Sequence, residues 1–189
     1  DHWNYPNKFN GLVIEVLTTT NCEEVELYRN GKLMGRERTA DYTNNTIVWN
    51  IPYTPGKLEA KGFNKGKEVA YWKIETAGKL ATLKLKADRQ TIKADGQDLS
   101  HIDLTLIDDK GVKVQTDNRM ITVKVSGEGR LVALDSGDLR LNKFYTNQIK
   151  SYFGHALLTV QSTRKPGVIH AEIQVEGIDK PFEVVIRTR

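Results

Sequence analysis

The 189-residue sequence predicts an all-β protein built as two tandem antiparallel β-sandwich domains. Three observations lead there. Apolar residues recur with period two along most of the chain, the mark of strands with one buried and one wet face. Turn-forming residues separate these runs every 8–12 residues or so, the spacing of a sandwich. No convincing amphipathic helix interrupts them.

The elements follow in order. Leu12, Ile14 and Val16 share one face of a first strand, and Val25 and Leu27 one face of a second, with Glu24 and Glu26 opposite. Asn30-Gly31 is a strong hairpin signal, because both central positions of a type I′ turn need positive φ. Leu33-Met34-Gly35 reads as the stretch that closes this hairpin. Ile47, Trp49 and Ile51 alternate with Val48 and Asn50, which assigns Trp49 to the core. Tyr53-Thr54-Pro55-Gly56 is a corner: proline fixes φ and glycine permits a tight turn, with Trp49 anchoring the incoming strand and Leu58 the outgoing one. Lys65-Gly66 is a further turn before EVAYWKIET.

A break falls at Thr76-Ala77-Gly78-Lys79, dividing the chain into domains 1–77 and 78–189. The first is small and is expected to lean on a neighbour, since small domains bury too little surface to be robust. The second opens with LATLKLKAD. Ile102, Leu104 and Leu106 then alternate with Asp103 and Thr105, and Asp109-Lys110-Gly111 turns the chain. Ile121, Val123 and Val125 alternate with Thr122 and Lys124. Ile169, Ala171, Ile173 and Val175 alternate with His170, Glu172, Gln174 and Glu176. Residues 142–153, NKFYTNQIKSYF, come nearest to a helix but read better as a long irregular loop.

Composition narrows the function classes. At 39% hydrophobic and 28% charged, the chain is of soluble globular type. No apolar run approaches the ~18 residues of a membrane helix, so no membrane insertion is expected. It opens on DHWNYP, with neither an initiator Met nor a signal peptide, and is expected to be a piece of something longer. The net charge is +4; residues 1–78 hold 10 acidic and 10 basic side chains, and residues 79–189 hold 14 and 18. The lysines alternate with apolar residues, as in Leu83-Lys84-Leu85-Lys86. That is a solvated strand face rather than a phosphate-binding stripe, so nucleic acid is not an expected partner. Cys22 stands alone, which precludes an internal disulfide and suits either the cytoplasm or an exported protein that does without them. Asn44-Asn45-Thr46 matches a glycosylation acceptor, a pattern common by chance.

Candidate chemistry is sparse. A glycosidase site needs two carboxylates facing one another across a cleft. Glu15, Glu26, Glu59 and Glu75 each sit in a strand run, mostly on the polar face, and nothing pairs them. Ser100, His101 and Asp103, or the distant His155 and His170, have the residue types of a nucleophilic triad but no nucleophile-elbow pattern. Ala94-Asp95-Gly96-Gln97-Asp98 lacks the oxygen ligands and the terminal glutamate of a calcium loop, and reads as a turn whose aspartates cap backbone N–H groups. Catalytic, metal and cofactor-binding residues are therefore not expected. Trp3, Tyr5, Tyr42, Trp72, Phe144, Tyr145, Tyr152 and Phe153 remain, as rings that suit either the apolar side of a sugar or a core or domain interface. Trp3, Tyr5, Trp72 and Tyr145 are the candidate sugar or interface contacts. Trp3 and Tyr5 precede the first strand, at the seam with any preceding domain, and Trp72 lies on the opposite strand face from Tyr71.

Several motifs carry a family resemblance. His2-Trp3-Asn4, VELYRNGKLMG, WNIPYTPGKLEAKGF and the Thr76-Ala77-Gly78 link resemble the domain that follows the catalytic barrel in many family 2 glycoside hydrolases of the β-galactosidase type. LKADRQTIKADGQDLSHIDLTLIDDKG, SGEGRLVALDSGD and FGHALLTVQST…PGVIHAEI are similar to the immunoglobulin-like, invasin-like module that comes next. The resemblance covers nearly the whole chain. It departs at Tyr5, where the family often has Trp, and at Ser136-Gly137-Asp138, where Asn-Gly-Asp is common.

The resemblance implies two immunoglobulin-like sandwiches forming the non-catalytic C-terminal part of a glycoside hydrolase. In that family both catalytic glutamates sit on a barrel, which needs about 200 residues or more of alternating strands and helices. No glutamate here matches either motif. The implied parent cleaves β-galactosides or related β-glycosides with retention, through a covalent glycosyl-enzyme, and is exported to the periplasm or cell surface. The implied partner is the catalytic barrel domain of the same parent chain. The alternative is a carbohydrate-binding module whose partner is an oligo- or polysaccharide, and a third reading is an adhesin-like module that binds protein.

Overall fold

A computed structural model describes residues 2–141 and 146–189. The chain divides into two compact units, Asp1–Thr76 and Ala77–Arg189. Both are built of β-strands, and among the described residues no helix is long and apolar enough to cross a membrane.

The first unit has six strands: β1 (Val13–Thr19), β2 (Glu24–Arg29), β3 (Lys32–Arg38), β4 (Thr46–Pro52), β5 (Lys57–Asn64) and β6 (Lys67–Glu75). They form a four-stranded antiparallel sheet in the order β3-β2-β5-β6 and a two-stranded antiparallel sheet, β1-β4. The alternation read from the sequence sets the faces. Val25, Leu27, Ile47, Trp49, Ile51 and Leu58 are buried with Trp3 and Tyr53 in one core. Asn30 and Gly31 adopt φ of +51° and +78°, as a two-residue hairpin requires.

Two local expectations are corrected. Leu33-Met34-Gly35 does not close the hairpin; it lies inside β3, where the pairing with β2 slips so that Met34 is the extra residue between partners Leu33 and Gly35. The slip places Gly35 beneath Trp49, whose ring would lie 3.1 Å from any β-carbon there. Leu12 precedes β1 and is exposed, so that strand turns Ile14, Val16 and Thr18 inward instead.

The corner is held by a side chain from the neighbouring hairpin. Gly56 has φ +127°. Asn30 Nδ2 donates to the Pro55 carbonyl at 3.0 Å, and Asn30 Oδ1 accepts from the Lys57 N–H at 2.7 Å. One residue thus makes the β2–β3 turn and pins the β4–β5 corner.

The second unit has β7 (Thr82–Ala87), β8 (Thr91–Ile92), β9 (Leu99–Ile107), β10 (Met120–Gly127), β11 (Gly129–Asp135), β12 (Gln148–Lys150), β13 (His155–Ser162), β14 (Gly167–Val175) and β15 (Phe182–Thr188). A five-stranded sheet, β12-β10-β14-β15-β8, and a four-stranded sheet, β11-β13-β9-β7, contain them. The ladders are antiparallel except at one edge, where Thr91-Ile92 runs parallel to Arg187-Thr188. Residues 148–150, read as loop, are an edge strand on Met120–Thr122. Residues 142–145, with Phe144 and Tyr145, lie outside the described residues.

The cores differ in size. Among the described residues, the second unit gathers 17 buried apolar residues in its cluster and the first 8, three of them Trp3, Trp49 and Tyr53. The first unit therefore depends on a few large aromatic side chains, as expected where surface outweighs interior. At the start of the second unit, buried Asp108 accepts from the N–H groups of Gly78 (2.7 Å), Lys110 (2.9 Å) and Val112 (2.7 Å). Burial works against its charge, yet these N–H groups prevail and hold the carboxyl below its ordinary range.

Candidate functional site

Sheet size creates the candidate site. Directly opposed residues of an antiparallel ladder point to the same face. In the β5–β6 ladder Leu58 faces Ile74, Ala60 faces Trp72 and Gly62 faces Ala70. Leu58 is core, so Trp72 also points to the inner face of its sheet. It is nevertheless 65% exposed. The reason is arithmetic: a two-stranded sheet packs against four strands and leaves β6 uncovered. The resulting groove, about 660 Å³, runs along β1 from Glu15 to Thr19 and is walled by Trp72, Ile74, Trp3 and Tyr5.

Three of the four singled-out aromatics therefore meet at one place, and the fourth, Tyr145, lies outside the described residues. Their environments differ. Trp3 is 1% exposed. Its Nε1 donates to the Thr54 carbonyl at 3.0 Å, and its ring stands edge-on to Tyr53 (4.9 Å) and Tyr5 (6.0 Å). The Thr76 hydroxyl donates to the Trp3 carbonyl. Trp3 is thus a core residue that floors the groove and offers almost no free ring surface. Tyr5 is half-buried, and its N–H donates to the Tyr53 hydroxyl at 3.3 Å. Trp72 alone presents an open ring. Tyr71, on the outer face, donates its hydroxyl to Glu59 at 2.6 Å.

The groove's polar equipment is limited. Glu15 is the one carboxylate in its lining, where retaining glycoside hydrolysis needs two about 5–5.5 Å apart. Thr18 Oγ1 already accepts from Trp49 Nε1 at 3.0 Å, and Thr19 shares a hydrogen bond with Thr46. The other candidate glutamates include Glu26, which takes the Tyr28 hydroxyl at 2.6 Å and pairs with Arg36, and Glu59, held by Tyr71. These are contacts of a sheet surface.

The triad candidates separate. Ser100 is buried and donates to Asp88 (3.1 Å) and the Arg89 carbonyl (2.8 Å). His101, on the other face of β9, bonds Thr159 at 3.0 Å. His155 pairs with Asp103 at 3.2 Å, and His170 with Glu183 at 2.7 Å, both at the surface. A shallow depression of about 360 Å³ holds His170, Glu172 and Glu183 with Lys124 and Phe182. Glu172 and Glu183 face each other across β14 and β15, on a solvated sheet face rather than in a cleft.

The Asp95 turn is as read. Its Oδ1 accepts from the N–H groups of Gln97 and Asp98, each at 2.8 Å, and these bonds hold its carboxyl below the ordinary range. Asp98 in turn accepts from the Lys93 N–H at 2.8 Å and from Arg89 at 2.9 Å. Among the described residues no group of His, Cys, Asp and Glu is placed to hold a metal ion.

Two feature classes escaped the sequence. The Asn30 clamp on the corner has no local signal, since the partners are 25 and 27 residues away. The uncovered state of Trp72 depends on which strands pair, which alternation within one strand does not specify.

Comparison with known proteins places this geometry. The profile described as glycoside hydrolase family 2 C-terminal domain 5 matches residues 83–181. A second, described as a domain of unknown function (DUF4982), matches residues 11–70. The β-galactosidase BoGH2A of Bacteroides ovatus is 31% identical over 94% of this chain and 21% of its own length. A crystal structure of a glycosyl hydrolase family 2 member from Bacteroides cellulosilyticus superposes with a TM-score of 0.95 at 36% identity, covering 100% of this chain and 24% of that one. The structure of a β-glucuronidase from glycoside hydrolase family 2 gives a TM-score of 0.87 at 25% identity, over 100% of this chain and 19% of that one. The chain thus spans about a fifth to a quarter of the length of the relatives it matches.

Proposed function

This chain belongs to glycoside hydrolase family 2, as an accessory part of the C-terminal region, and from that premise we propose that its two β-sandwiches brace a catalytic barrel carried elsewhere in the same polypeptide. The observation that carries the reading is the full-length superposition on about a quarter of a family 2 enzyme, at a TM-score of 0.95. The side chains agree with it: the groove holds one carboxylate, and the buried polar groups secure turns and strand ends.

On this reading the parent cleaves β-glycosidic bonds with retention. One carboxylate attacks the anomeric carbon, a second group protonates the leaving oxygen, and water then releases the sugar. The substrate is a β-galactoside, with a β-glucuronide as the next class, following the relatives. This chain supplies neither nucleophile nor acid; it stabilises the barrel and helps to shape the rim of its cleft. The same reading carries an exported location, in the periplasm or at the cell surface, which fractionation of producing cells tests.

Glycan binding by the chain itself is the less supported reading. Sugar recognition needs free hydrogen-bonding groups beside the ring it stacks on, and two of the groove's hydroxyls, Thr18 and Thr19, are already engaged.

The purified chain is assayed with chromogenic β-galactoside and β-glucuronide. No turnover above the blank is expected, and turnover would refute a purely accessory role. Deleting these residues from the parent should lower its melting temperature; an unchanged melting temperature counts against bracing.

A further inference from the structure

We propose that the open groove of the first sandwich, lined by Trp72 of β6 and edged by Leu17 of β1, is the surface on which the upstream, barrel-bearing part of the same polypeptide docks. The inference rests on the bracing reading and names the surface that does it.

The face has the character of a core without its cover. Trp72 points the same way as buried Leu58, yet most of its ring is exposed. Ile74 and Ala60 lie beside it in the same groove. The outer side of the two-stranded sheet adds exposed apolar side chains among polar ones, Glu15 and Asn50 lying between the two apolar pairs. Leu17 and Val13 are 59% and 63% exposed. Leu17 opposes Val48, and Val13 opposes Pro52. Leu17 belongs to both surfaces, since it also lines the groove. Exposed Trp72, with Ile74 and Ala60 beside it and Glu15 as the one lining carboxylate, suits a protein surface better than a charged ligand.

Chain connectivity selects the occupant. The matched region is C-terminal in its family, and the chain covers a fifth to a quarter of its relatives, so the remaining sequence of such a parent lies largely upstream. The polypeptide enters the first unit through His2 and Trp3, and both line this groove. Covalent attachment raises the effective concentration of a linked domain at this groove, which favours it over a second copy or a free glycan.

The test uses the full-length parent. Hydroxyl-radical footprinting compares Trp72 and Leu17 with Tyr71, which is 49% exposed on the opposite face of β6. After correction for intrinsic reactivity, Trp72 and Leu17 should react at least about tenfold more slowly than Tyr71; equal rates overturn the proposal. A photo-crosslinking residue at position 17, in dilute solution, should join to the barrel of its own chain. Crosslinks to a second copy, or protection of Trp72 that appears only when oligosaccharide is added, also overturn it. Leu17→Asp, at an exposed position, should raise Trp72 labelling several-fold and leave Tyr71 unchanged. Deleting residues 1–189 separates the two ideas. A lowered melting temperature of the deleted parent, together with freely labelled Trp72 in the intact parent, keeps bracing and sinks this surface; an unaltered melting temperature sinks bracing itself.

Discussion

Replacing Trp3 by Ala should nearly unfold the first unit while leaving the second intact. The indole is 1% exposed and packs edge-on against Tyr53 and Tyr5. Truncating a buried Trp to Ala costs about 3–5 kcal/mol, through lost burial and the cavity left behind. The Thr54 carbonyl also loses its donor, worth about 1 kcal/mol. A unit of this size, Asp1–Thr76, has on the order of 4–11 kcal/mol of stability to lose. The loss therefore removes from about a third of it to all of it. Trp3→Phe keeps a ring against Tyr53 but loses the donor, and should cost about 1–2 kcal/mol. The assay is urea unfolding of the 189-residue chain. Its three tryptophans, Trp3, Trp49 and Trp72, all lie in the first unit, so indole fluorescence follows that unit alone while far-ultraviolet circular dichroism follows both. A cost below about 1 kcal/mol for Trp3→Ala would refute the view that a few aromatics hold this small core.

Three further outcomes follow from the same structure. Trp72→Ala in the isolated chain should change stability by no more than about 0.5 kcal/mol, since the ring is largely solvated; a large loss by urea unfolding would mean that something in the chain covers it. Gly56→Ala should cost about 2–4 kcal/mol, because φ is +127° and the new carbon would sit 2.0 Å from Asn30 Oδ1. In an Asn30→Gly background the steric part should vanish, so a double-mutant cycle should show coupling above about 1 kcal/mol. Asp108→Asn should destabilise the second unit most at neutral pH. The folded carboxyl titrates below its unfolded value of about 3.9, so its contribution is complete above about pH 5 and is lost as pH falls through the folded value. The gap between variant and native chain, followed by thermal unfolding, should narrow below about pH 4; a constant gap contradicts the assignment.

Local chemistry was readable without the fold. Period two placed Val25, Leu27, Ile47, Trp49, Ile102, Leu104, Leu106, Ile169 and Ile173 inward, and all are buried. Asn30-Gly31 and Lys65-Gly66 carry positive φ, as their turns demand. Asp95 and Asp98 cap their own loop. The errors were also local. Leu33-Met34-Gly35 lies in strand because the two-residue Asn30-Gly31 turn already closes the hairpin at Arg29 and Lys32, and Gln148–Lys150 is too short for alternation to register.

The sequence by itself determined which side of the strand most core residues take, and where the chain turns, because both depend on neighbours within a few positions. It also placed Trp3, Tyr5 and Trp72 among the residues of interest. Only the tertiary structure decided that Trp3 is sealed between Tyr53 and Tyr5 while Trp72, equally inward on its strand, stays open. That outcome depends on a two-stranded sheet facing a four-stranded one, and strand count across a sandwich is set by pairings between residues far apart in the chain.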